Sequence, residues 1–68
     1  MTFARWCMNF RADPSPFGDV ARDLVADPRI VTRMTYPAVR ARMVEMGACD
    51  RALVVLEEMR ALYLATAE

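Results

Sequence analysis

The sequence predicts an all-α protein, a compact orthogonal bundle of four to five short helices, from three observations. Apolar residues recur at i, i+3, i+4 and i+7 in successive stretches. Prolines, a glycine and capping residues sit where those stretches begin and end. Nowhere do Val, Ile, Thr and aromatic residues alternate with polar ones between turn signals, so no strand is expected. The 68 residues, 56% of them hydrophobic, are read as one domain, residues 1–68. A chain this short buries only about 60% of the surface its unfolded form exposes. That leaves room for one core and a shallow surface groove, and none for a large enclosed substrate cavity.

The first helix is read from Phe3, Trp6, Cys7 and Phe10, which fall on one stripe behind a capping Thr2. Ala12-Asp13-Pro14-Ser15-Pro16 ends it, because the residue before each proline is driven from helical dihedrals. Ser15 and Pro16 are an N-cap and first helical position for a second helix, with Asp19 in its opening turn and Phe17, Val20, Ala21, Leu24 and Val25 on its apolar face. Asp27-Pro28 closes that helix, and residues 28–35 are expected to form a helical turn or packed connector. Thr35 caps a third helix carrying Pro37 early and Tyr36, Val39, Met43 and Met46 at helical spacing, and Gly47 ends it in the left-handed conformation. Asp50 opens the fourth and longest, with Leu53, Leu56, Met59, Arg60, Tyr63 and Leu64 spread over more than one face. Three helices of about ten residues cannot form an elongated bundle, so a globule with a radius of gyration of about 11 Å is expected. Its expected core is Trp6, Phe10, Phe17, Leu24, Tyr36, Val39, Met43, Leu56, Met59 and Tyr63.

Over nearly the whole chain the sequence resembles the YozE-type family of small proteins with a sterile-alpha-motif-like (SAM-like) fold. The resemblance rests on Phe3, Trp6 and Arg11, on Pro16, Gly18-Asp19 and Ala21, on Asp27-Pro28, on Tyr36 with Val39, and on Leu56, Glu58 and Tyr63. Arg60 departs from it, standing where such proteins tend to carry a second large aromatic. The resemblance implies four or five short helices and no established activity. SAM-like folds serve as protein-interaction modules and, in some lineages, as nucleic-acid binders.

Composition excludes more than it assigns. Nine arginines balance nine acids, giving zero net charge with no histidine and no lysine. A polycation that coats nucleic acid is therefore excluded, and the usual general base near neutral pH is missing. Cys7 lies on the first helix's apolar stripe and reads as a buried small residue, whereas Cys49 is expected to be exposed. Two cysteines are too few for a secreted disulfide framework or a structural zinc site. Asp13, Asp19, Asp23 and Asp27 lack the ligand spacing of a calcium loop. With no membrane-length apolar run and no secretory leader, a cytoplasmic protein without a cofactor, metal, membrane contact or small-molecule substrate is expected.

Two surfaces remain as candidates. Arg29, Arg33, Arg40 and Arg42 form a stretch without an acid between Pro28 and Met43, partly neutralised by the flanking Asp27 and Glu45. In the last helix Leu53, Arg60 and Leu64 share a stripe on which surplus apolar surface is expected, with the Arg60 stem over the leucines and its guanidinium directed to a partner's carboxylate. A weak Glu57–Arg60 pair is also expected. The reading is a non-catalytic module that docks on a protein partner, with self-association as a homodimer through the last helix. The alternatives are a nucleic-acid-associated protein using Arg29 to Arg42, or a phage- or mobile-element-encoded inhibitor of a host machine.

Overall fold

Thr2 opens α1 (Phe3–Met8) in the computed structural model, which describes residues 1–66. Its hydroxyl accepts from the Arg5 amide at 3.4 Å and donates to the Thr32 carbonyl. The Ala4 amide, one of the donors a helix start leaves without an internal partner, reaches the Met34 carbonyl at 3.1 Å. The connector between the second and third helices is thereby tied to the first turn of α1. α1 stops at Met8, so Phe10 lies in the turns that follow and not on a helical stripe. It still meets Trp6, with ring centroids 4.9 Å apart.

α2 (Pro16–Ala26) begins after Ser15, whose backbone is extended as an N-cap requires but whose hydroxyl makes no capping bond. The turn before it is held by Asp13, whose carboxylate accepts from the Ser15 amide at 2.8 Å; hydrogen bonding from the Ser15 hydroxyl and then from its amide keeps that carboxyl below the usual range. Gly18 is required here, because a Cβ would lie 1.7 Å from the Asp13 carbonyl oxygen. Val20, Ala21 and Leu24 are buried, while Val25 is 51% exposed. One step of about 100° past Leu24 carries Val25 off the flank of the buried face.

After Asp27 the chain makes two successive turns, and Ile30 between them is buried. α3 (Tyr36–Glu45) follows Thr35, whose side chain, like that of Ser15, makes no capping bond. Gly47, at φ +80°, ends α3 with Gly47 N–H to Val44 C=O at 3.0 Å and Ala48 N–H to Met43 C=O at 2.9 Å. This paired closure needs a left-handed residue, which glycine supplies without a Cβ penalty. α4 (Asp50–Thr66) has 17 residues, about 25 Å of helix.

The protein is an all-α bundle with four helices and no strand among the described residues. Its radius of gyration is 10.6 Å. Phe3, Ala4, Cys7, Val20, Leu24, Ile30, Val39, Met43, Val55, Leu56 and Met59 form the buried cluster. Leu24, Val39, Met43, Leu56 and Met59 are where the periodicity puts them. The expected core is corrected at Trp6, Phe10, Phe17, Tyr36 and Tyr63, which are half-buried and pack against that cluster from outside. Rings this large cannot all be enclosed in so small a globule, and the smaller Ala4, Cys7 and Val20 occupy the centre instead. Among the described residues no helix is long and apolar enough to cross a membrane.

Candidate interaction surface

The arginine-rich stretch divides into two kinds of side chain. Arg42, in the last turn of α3, donates to both oxygens of Asp27, Nε to Oδ2 at 2.8 Å and Nη2 to Oδ1 at 3.2 Å. Its Nη1 reaches Glu45 Oε1 at 2.8 Å. The Arg42 and Asp27 side chains are 15% and 13% exposed, so this fork is a part-buried clamp between the ends of α2 and α3. The hydrogen bonds from the Arg42 guanidinium hold the Asp27 carboxyl below its ordinary range, helped by the Arg29 amide. The same bonds, with that of Glu45, raise the affinity of Arg42 for its proton. Arg42 has thus directed its donors inward. Arg29, Arg33 and Arg40 are exposed and form no ion pair among the described residues.

Leu53, Arg60 and Leu64 fall within about 40° of one another around α4, but they differ in exposure. Leu53 is half-buried against the core, and Leu64 is 61% exposed. Between them the Arg60 guanidinium lies over the Tyr36 ring, 4.6 Å from its centroid, a cation–π contact that replaces the expected course over the leucines. No Glu57–Arg60 pair forms among the described residues. Val54, Leu62 and Leu64 are the exposed large apolar residues of α4. Leu62 and Leu64, two residues apart, point about 160° from each other and cannot share a stripe.

A different feature emerges where four parts of the chain meet. Between the end of α2, the turn at Pro28, the glycine closure of α3 and the start of α4 lies an open groove of about 460 Å³. Leu24, Ile30, Met43, Met46, Ala48 and Ala52 give it largely apolar walls, and Asp23, Asp27 and Arg42 are its charged residues. Met46 is 62% exposed at its edge, and Cys49, a free exposed thiol, also lines it. A second depression, also about 460 Å³, is lined by Arg29, Met34, Ala38, Ala41, Arg42 and Glu45. Arg42 is the one lining residue common to the two depressions.

Of the expected site residues, Arg42 lines the groove and the second depression and Arg29 only the second, whereas Arg33, Arg40, Leu53, Arg60 and Leu64 line neither. Sequence reasoning missed the groove's other walls. Its one legible signal was Met46 beside Gly47, a large apolar residue at a helix end that no neighbouring helix could cover. Cys7 is enclosed, and burial pushes its thiol up to about 12, far from the range of a reactive cysteine. Among the described residues no three metal-ligating side chains come together. Compared with models of known families, with curated proteins and with solved structures, the chain matches none.

Proposed function

We propose that this chain is a non-catalytic docking module that binds a protein partner through the groove between the ends of α2 and α3 and the start of α4. The observation that carries the reading is the groove itself: an open, largely apolar concavity edged by the exposed Met46. Apolar surface left open in so small a chain is characteristic of association sites, and methionine adapts to a partner's shape. The inert state of Cys7 and the inward commitment of Arg42 support a role by binding over one by chemistry. The likeness to YozE-type proteins with a SAM-like fold, a cytoplasmic location and the role of a mobile-element inhibitor all accommodate such a module and remain proposals with it.

Affinity enrichment from the source cells with immobilised wild type and with Met46→Arg tests the reading. A protein retained by wild type and lost from the variant, at equal helical circular dichroism, is the expected result. Equal retention of every protein by both removes the groove as the docking surface. A second reading, nucleic-acid association, draws on the exposed, unpaired Arg29, Arg33 and Arg40. It requires a complex with DNA or RNA at low salt that weakens steeply as salt rises.

A further inference from the structure

The arginine-rich stretch and the last helix meet at one ring. Arg60 of α4 lays its guanidinium over Tyr36 at the start of α3, 4.6 Å from the ring centroid. Arg40 is four residues after Tyr36 in the same helix, so it is that residue's neighbour one turn along, and Val44 is the next in the row. Arg40 and Arg60 are exposed and form no ion pair among the described residues, and Val44 is 49% exposed. None of these four residues lines the groove or the second depression.

We infer that the row Tyr36, Arg40 and Val44, with Arg60 beside it, is a second interaction surface whose partner is an acidic segment of a protein. Carboxylates of that segment meet the two guanidiniums, and an aliphatic side chain rests on Val44. The surface is separate from the groove, and the inference stands without the docking reading above. The observation that carries it is the position of Arg60. Glu57 lies one turn before Arg60, at a spacing that commonly pairs opposite charges, but the guanidinium lies on Tyr36 instead. A guanidinium stacked by its face keeps the N–H donors of its edge for a planar acceptor with two oxygens. Arg40 adds a second unpaired charge beside the same ring, so charge complementarity calls for an anion. Two features favour protein carboxylates over a nucleic acid. The face of Tyr36 under Arg60 is closed to a stacking base, and the row ends on the aliphatic Val44, which a phosphate backbone cannot use.

The test is an NMR titration of the full chain at low salt, following the arginine side-chain N–H signals. The probe is the blocked peptide Glu-Glu-Leu-Glu-Glu-Leu, compared with Gln-Gln-Leu-Gln-Gln-Leu and with a thymidylate hexanucleotide. The acidic peptide should move the Arg40 and Arg60 side-chain signals and the Val44 amide, and the glutamine peptide should leave them in place. Arg40→Gln and Arg60→Gln should each weaken the acidic peptide about threefold, the size of one exposed ion pair. Glu57→Gln should tighten it, because a like charge one turn from Arg60 is removed. Arg51→Gln, at an exposed position of α4 nine residues from Arg60, should leave the affinity unchanged. Arg40 is exposed, so its variant keeps the fold should loss of the ring contact at Arg60 disturb α4. Equal losses from Arg51→Gln and Arg40→Gln reduce the effect to diffuse charge and overturn the site. Equal binding of the glutamine peptide, or no shift with the acidic one, overturns it as well. Tighter binding of the thymidylate, or Arg40 and Arg60 signals that move when the protein alone is concentrated, overturns the assigned partner in favour of nucleic acid or of a second copy.

Discussion

The two sides of this small bundle are built from different materials. All six aromatic residues lie in one connected series, Phe17 to Phe10 at 5.5 Å, Phe10 to Trp6 at 4.9 Å, and Trp6 on to Phe3 and Tyr63, with Tyr36 joined through Phe3. The groove side has none: its apolar walls are alanine, methionine, leucine, isoleucine and proline. Large rigid rings fill space and add about 0.5–1.5 kcal/mol per edge-on pair beyond their burial. Alanines leave space, and methionine reshapes it. The aromatic side therefore holds the fold, and the groove side leaves a concave, largely apolar surface open.

Substitutions should break that division in a fixed order. Phe3 is buried and touches Trp6, Tyr36 and Tyr63, so Phe3→Ala should cost about 3–5 kcal/mol. A domain this size has roughly 3–10 kcal/mol in total, so thermal denaturation followed by circular dichroism should show a chain largely unfolded at room temperature. Gly18→Ala comes next, at about 1–3 kcal/mol, because the Asp13 loop must move to admit the methyl group. Urea titration should show a lower midpoint with an unchanged slope.

Acid should loosen the groove side through its clamp. The Asp27 pKa is lowered in the folded protein, so its contribution is present above the ordinary aspartate value of about 3.9 and is lost as pH falls through the lower folded value. Asp13 contributes in the same sense from the other end of α2. Asp27→Asn should flatten the acid limb of a melting-temperature profile, and the difference from wild type should shrink as pH drops. The smallest effect belongs to Met46→Ala, within about 0.5 kcal/mol of wild type, since the side chain is exposed. The two thiols sharpen the contrast: Cys49 should react with a disulfide reagent in the native state, and Cys7 only after unfolding.

The order of helices was legible because local chemistry punctuates it. Pro16, Pro37, Gly47 and Asp50 mark ends that no tertiary contact needs to choose, and the spacing of Leu24, Val39, Met43, Leu56 and Met59 identified residues that are in fact buried. Phe10 and Val25 misled because periodicity reports a face and not where a helix stops or how wide its cover is. That Asp27 and Glu45 offset part of the basic stretch was readable from proximity in sequence. That Arg42 alone collects both, across 15 and 3 residues, is decided by the approach of α2 to α3. The groove is less local still, since its walls come from segments spread between Asp23 and Ala52. No window of sequence contains it.

The most direct test of the division between a structural side and the proposed binding side is amide chemical-shift mapping by NMR as a protein retained by wild type and lost from Met46→Arg is titrated in. Shifts concentrated at Leu24, Ile30, Met43, Met46 and Ala52, with Phe10, Phe17 and Tyr63 unmoved, are the expected result. Shifts confined to the exposed end of α4 around Leu62 and Leu64, or to Arg33 and Arg40, with the groove amides silent, would contradict it.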